Sequence, residues 1–231
     1  MTTMAHGQTE HEIAAGRARE NVITGASIVR HRRSSRLIHW SVAATFFLAL
    51  LSGMPIWSPL FGWMASLLGG MEVCRWLHPY AGSLFFILST VQFFHWLGDM
   101  RLTKGDRSWF GPKAFKYMHH EEFGADPGKY NGGQKLFFWA VTLGAIGLLL
   151  SGLIMWFPLY FPQMIRELAI LLHDITFILF LVAVITHIYL GTAAEPGTFR
   201  AMTRGTVTRA WARLHHPGWF QEVTGEEARK R

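Results

Sequence analysis

Residues 168–191 read LAILLHDITFILFLVAVITHIYLG, an apolar run interrupted by His173, Asp174 and His187. The two histidines are fourteen residues apart. At 100° per residue that is about 40° short of four full turns, so both imidazoles fall on one helix face, about 21 Å apart along the axis. An ionisable side chain inside a membrane span is expensive and marks a functional position. Two ligand-type side chains on one face, near opposite sides of a bilayer, point to two stacked cofactors and a path for electrons across the membrane.

The rest of the chain supports a membrane setting. Of 231 residues half are hydrophobic, 18 are Phe, 10 are Trp and only 16% are charged. A soluble domain carries about a quarter charged residues. Here the charges sit in three polar blocks separated by stretches with almost none, the pattern of a small polytopic membrane protein. The single cysteine, Cys74, excludes an intrachain disulfide and any cysteine-based cluster or zinc site. The net charge of +7 would suit nucleic acid in a soluble protein, but loops on the cytoplasmic side of a membrane collect Lys and Arg, and no nucleic-acid partner is expected. The polar first thirty residues lack the apolar core of a signal peptide.

Four runs approach or exceed the ~20 residues that a spanning helix needs: 37–57, 78–97, 136–157 and 168–191. Only helices satisfy the backbone of such runs in lipid. Twenty of the 22 Lys and Arg lie in residues 1–36, 98–135 and 192–231, leaving Arg75 and Arg166 in the other two connections. The bias places both termini and the 98–135 loop in the cytoplasm. The expected fold is therefore all-α, an integral membrane four-helix bundle with both termini cytoplasmic. A polar segment 1–36 precedes the four-span domain 37–191, and a polar segment 192–231 follows it. Pro55 falls in the last turn of the first run, where it favours an early end or a kink.

Five of the twelve histidines lie in or at the edge of a span. By depth, His78 and His173 are outer, and His39 and His187 are inner, with His95 as a rival. From His78 to His95 the helical rotation leaves an offset of about 100°, so His95 points away from the face that carries His78. Neutral imidazoles from two helices are good axial ligands for haem iron. A hydrogen-bonded bundle histidine is the bland alternative for any one of them. Four at two matched depths favour two haems held by His78/His173 and His39/His187. No Cys-x-x-Cys-His is present for covalent attachment. Gly82, Ser83, Gly144, Gly147 and Gly152 either admit a flat macrocycle or serve close helix packing.

At least two of Arg32, Arg33 and Arg36 read as positive-inside anchors, with pairing to propionates at the inner surface as the alternative, and Arg75 is a candidate partner for a propionate of the outer haem. Asp174 either hydrogen-bonds a histidine ring nitrogen or faces water. The adjacent pairs His119–His120 and His215–His216 read as solvated loop residues rather than metal ligands.

The chain resembles the gamma subunit, the cytochrome b subunit, of membrane-bound respiratory formate dehydrogenase, from about Arg33 onward. The matching pieces are RLIHW (36–40), LHPYAG (77–82), GKYNGGQKLFFW (128–139), LLHD (171–174), THIYLG (186–191) and RAWARLHHPGWFQE (209–222). GKYNGGQK and HHPGWF separate it from the b subunits of hydrogenases. The N-terminal tail is longer than the family suggests, and Asp174 stands where a small apolar residue would be unsurprising. The resemblance implies a dihaem protein with the same His78/His173 and His39/His187 pairs. It also implies a quinone site beside the inner haem, lined by Asn131, Gln134 and His187. By themselves Asn131 to Gln134 read as a turn and a helix start. An Asn or Gln amide there can serve a quinone oxygen.

The reading is thus the electron-transfer and quinone-reducing subunit of an oxidoreductase complex, with formate oxidised on a partner. Its cofactors are two haem b, and its substrate is a menaquinone or ubiquinone. Its partners are an iron–sulfur beta subunit, a molybdenum- or tungsten-containing alpha subunit and the lipid of a bacterial cytoplasmic membrane. No residue of this chain is expected to catalyse the formate chemistry itself. The alternatives are the b subunit of a hydrogenase- or thiosulfate-reductase-type complex and a non-redox membrane anchor.

Overall fold

The computed structural model describes residues 27–103, 106 and 128–226. His119 and His120 lie outside the described residues. Four long helices follow the four apolar runs: α1 (Arg33–Trp57), α2 (Met71–Trp96), α3 (Gly132–Trp156) and α4 (Gln163–Tyr189). Each begins four to seven residues ahead of its apolar run, because the added turns are polar or amphipathic. The first four amides of a helix lack intrahelical acceptors, so a polar first turn suits them. α1 continues through Pro55 to Trp57, so the early end expected there does not occur. So near the helix end, the proline removes one backbone bond and no more.

A 3₁₀ helix (Pro59–Leu68) joins α1 to α2, with Ser58 capping its start. Gly69 and Gly70 both take positive φ, 93° and 114°, where the chain turns into α2. Only glycine adopts such angles without strain.

α1, α3 and α4 with its continuation to Ala194 are each long and apolar enough to cross a membrane. α2 has the length, 26 residues, but Glu72, Arg75, His78, Gln92 and His95 dilute its hydropathy. Trp76, Tyr80, Leu84, Ile87, Val91 and Phe94 are all exposed, at steps of three or four residues. They form one apolar stripe about 27 Å long at 1.5 Å per residue, near the ~30 Å hydrocarbon thickness. A stripe of that length and composition suits lipid as an amphipathic surface suits a core.

The described chain divides into two compact units. The bundle unit holds residues 37–97 and 139–184. Its centre is Val42, Phe46, Phe85, Ala145 and Phe180, drawn from all four long helices. Phe46 stacks on Phe180 at 5.3 Å, and Phe85 meets Phe180 edge-on at 5.7 Å. Lipid is as apolar as these rings, so close packing rather than transfer from water holds the helices together. A Cβ on Gly144 would lie 2.7 Å from Phe180, and one on Gly147 would lie 3.4 Å from Thr176. Those two glycines serve packing.

Of the described residues, the other unit holds 27–36, 98–103, 106, 128–138 and 185–226. The segments expected as two polar tails are joined in it. β1 (Ser27–Val29) pairs antiparallel with β2 (Thr206–Thr208), Ile28 opposite Val207. This short ribbon is an addition to the all-α expectation. Around it lie α5 (Thr198–Thr203), α6 (Arg209–His215) and α7 (Pro217–Thr224). Val207, Trp211, Ala212, Trp219 and Phe220 form the core. Each large side chain there contributes roughly 1.5–3 kcal/mol by leaving water. Gly205 closes the ribbon: its φ is 82°, and a Cβ there would meet the His31 carbonyl at 2.7 Å.

Candidate functional site

His78 on α2 and His173 on α4 come together inside the bundle unit. Their ring centroids are 6.2 Å apart and the rings are nearly perpendicular, at 76°. The hydrogen bonds fix which nitrogen each ring offers. His78 Nδ1 lies 3.0 Å from the Ala49 carbonyl. A carbonyl only accepts, so Nδ1 carries the proton and Nε2 keeps its lone pair. His173 Nδ1 lies 2.9 Å from Ser151 Oγ, which spends its own proton on the Gly147 carbonyl at 2.6 Å. The serine therefore accepts from His173 Nδ1, and again Nε2 keeps the lone pair. Both rings are in the metal-ligating tautomer, oriented by a neighbour as bound imidazoles are.

The spacing fits an iron atom. Two metal–nitrogen bonds of about 2 Å, plus about 1 Å from each nitrogen to its ring centre, would place the centroids of two iron-binding imidazoles roughly 6 Å apart. The rings border a cavity of about 570 Å³. Its walls are mostly apolar, with Phe46, Phe85, Leu148 and Phe177 prominent. Pockets of roughly 300–1,000 Å³ hold compact organic ligands. Gly82, Ser83 and Gly152 line it, so of the five small residues singled out in the sequence these three belong to the cavity. Gly53 on α1 is an unforeseen fourth: a Cβ there would sit 2.7 Å from His78 Cε1. Arg75 and Asp174 also line the cavity. The partner of His173 Nδ1 is Ser151, not Asp174. Ser151 was missed in the sequence although it carried a signal, since a serine inside an apolar run must find a hydrogen-bond partner.

His39, on α1, belongs to the bundle unit, and its ring meets Trp40 edge-on at 5.2 Å. His187, on α4, belongs to the other unit, where its ring stacks on Phe137 at 4.5 Å and 6°. His95 is exposed and lies edge-on to Trp96 at 4.7 Å.

Asn131 and Gln134 form a reciprocal capping box at the start of α3. The Asn131 amide donates to Gln134 Oε1 at 3.0 Å, and the Gln134 amide donates to Asn131 Oδ1 at 2.9 Å. The turn-and-helix-start reading is thus realised. Both side-chain oxygens are engaged, and each side chain still has an NH₂ group to donate. The next residue, Lys135, forms a buried ion pair with Asp106 at 2.8 Å. Burial alone would raise the Asp106 carboxyl, but the Lys135 and Thr103 hydrogen bonds outweigh it and hold the acid below its ordinary range.

His215 and His216 correct the expectation of solvated loop residues. His215 ends α6 and is buried, with Nε2 3.6 Å from Glu195. His216 is 1% exposed. The hydrogen-bond partners of His216, Arg30 and Gly128, are 186 and 88 residues away, so local composition gives no sign of its burial.

A paired-imidazole cavity in a bundle of apolar helices is the signature of a membrane cytochrome. The family model for prokaryotic cytochrome b561 matches residues 30–205. The chain belongs to this family. It is a membrane cytochrome b, and the family implies haem b. This cytochrome b is 36% identical over 200 residues to the formate dehydrogenase cytochrome b556(fdo) subunit of Escherichia coli K12, covering 85% of this chain and 93% of the relative. It is 34% identical over 199 residues to the formate dehydrogenase cytochrome b556 subunit of Haemophilus influenzae, covering 84% and 83%. It is 33% identical over 206 residues to the nitrate-inducible formate dehydrogenase cytochrome b556(Fdn) subunit of Escherichia coli K12, covering 88% and 94%. The resemblance read from GKYNGGQK and HHPGWF therefore holds.

Proposed function

We propose that this cytochrome b is the quinone-reducing subunit of a formate dehydrogenase complex in a bacterial cytoplasmic membrane. Its electrons come from an iron–sulfur subunit on the outer side, supplied by a molybdenum- or tungsten-containing catalytic subunit. His78 and His173 hold the outer haem, and His39 and His187 hold the inner one. When bound, each haem supplies reversible one-electron exchange.

The remaining work belongs to the chain. Ala49 and Ser151 hold the two outer imidazoles in the ligating tautomer. Phe46, Phe85 and Phe177 keep water from the cavity. Arg75, on the sparsely charged outer side, suits a propionate. Asn131 and Gln134 offer side-chain NH₂ donors to the quinone oxygens, beside His187. Two electrons and two cytoplasmic protons convert the quinone to its quinol. The observation that carries the reading is the His78–His173 pair, 6.2 Å apart with both Nδ1 atoms engaged.

Single alanine variants in the purified complex test it. His78→Ala or His173→Ala should remove one of two b-type haems, and His39→Ala or His187→Ala the other. His95→Ala should keep both. A wild-type preparation without b-type absorption, or loss of the inner haem in His95→Ala but not in His39→Ala, overturns the assignment. Mass spectrometry of co-purifying subunits identifies the electron donor.

A further inference from the structure

Arg30, just after β1, and His216, between α6 and α7, reach the same short segment from opposite ends of the chain. Arg30 donates to the Lys129 carbonyl at 2.5 Å and lies 3.1 Å from His216 Nε2. A guanidinium only donates, so His216 Nε2 accepts, and the proton sits on Nδ1. Nδ1 then donates to the Gly128 carbonyl at 2.9 Å. The carbonyls of Gly128 and Lys129 are both engaged just ahead of Asn131. The Arg30 guanidinium also lies over the rings of Tyr130, Trp211 and Trp219, at 5.5, 5.0 and 4.9 Å. Arg30, His216, Tyr130 and Asn131 are all buried.

The chemistry is unusual for a segment whose only task is to be held down. Burying a guanidinium is costly unless its donors are met, and apolar side chains of similar size would pack here without that demand. What a buried hydrogen-bonding group adds is directional placement of its acceptors. Here the acceptors belong to residues 128 and 129, immediately before the Asn131–Gln134 capping box. Burial, together with the Arg30 charge, holds the His216 imidazole well below its ordinary range. It is therefore neutral near neutral pH, as the acceptor role requires.

We propose that Arg30 and His216 are positioning residues of the quinone site, clamping the backbone of residues 128 and 129 so that Asn131 and Gln134 face the quinone. The inference rests on the quinone reading above.

The test uses membranes carrying the full complex. Haem reduction is driven by a short-chain benzoquinol or naphthoquinol, and amide hydrogen exchange of residues 130–134 is followed in the same preparations. His216→Phe and Arg30→Met should raise the half-saturating quinol concentration about tenfold, as expected for lost buried hydrogen bonds. Both haem spectra should remain, and protection of 130–134 should fall. His216→Gln, which keeps one donor and one acceptor, should stay within about twofold of wild type by the same measure. If His216→Phe does not assemble, Arg30→Lys decides, since it keeps the cation and loses the forked reach. A wild-type half-saturation value in that variant, or in haem-replete His216→Phe, overturns the proposal. Unchanged exchange protection in the variants overturns it too. Reduced protection in the variants, with no quinol reactivity even in wild type, overturns the quinone reading while the clamp stands.

Discussion

Replacing Gly53 with alanine is the sharpest probe of the His78–His173 cavity. The new Cβ would sit 2.7 Å from His78 Cε1 and 2.9 Å from Nδ1, where ordinary contact begins at 3.4 Å. The ring must retreat from α1 by about 0.7 Å, more than the ~0.5 Å within which a binding constellation tolerates displacement. The retreat also lengthens the 3.0 Å bond to the Ala49 carbonyl, which sets the tautomer. Overpacking of this kind costs roughly 1–3 kcal/mol, or roughly 5- to 150-fold in haem retention. The assay is the haem-to-protein ratio and the reduced-minus-oxidised spectrum of the purified complex. One b-type haem should be depleted and the other retained. Gly144→Ala is the comparison, because its Cβ makes an equally close approach, 2.7 Å, but to Phe180. It should lower the unfolding temperature and keep both haems. Full two-haem content with an unaltered spectrum in Gly53→Ala would refute the geometric argument.

Two further outcomes follow from hydrogen bonding and burial. Ser151→Ala removes the hydroxyl that accepts from His173 Nδ1 and leaves the ring its backbone contact with Leu148, and loss of such an orienting partner weakens metal binding by roughly 10- to 100-fold. Haem titration of the apo-complex reads this directly, and a wild-type affinity would show that Ser151 does not orient the ligand. Burial pushes the Glu195 carboxyl up to about 7 from its ordinary 4.5. Between those values the folded protein holds a proton that the unfolded chain has released, so stability falls as pH rises through that window. Glu195→Gln should flatten the pH dependence of thermal unfolding between about pH 5 and about pH 8. An identical slope in both proteins would count against a buried, raised acid.

Some of the site was legible because helix geometry is local. That His78 and His173 share a level needs only the rise per residue and the position of each apolar run, and the two rings do meet. The capping box needs only an Asn–Gln spacing of three, and the i to i+3 geometry of a first turn does the rest. Gly53 and Ser151 escaped notice because their importance lies in what faces them from another helix. The burial of His216 depends on Arg30, 186 residues away, and on the Gly128 carbonyl, 88 residues away, which no local pattern shows.

The sequence by itself determined the class of this protein. Apolar runs of spanning length must be helical in lipid, and the spacing of His173 and His187 puts two imidazoles on one face whatever surrounds them. Tertiary structure decided which groups meet. It brought His78 to 6.2 Å from His173, selected Nε2 as the free nitrogen of each ring and opened the cavity beside Gly53. It also joined the two terminal segments through β1 and β2. Those outcomes depend on contacts between residues distant in the chain, and a helical period carries no information about a neighbour's face.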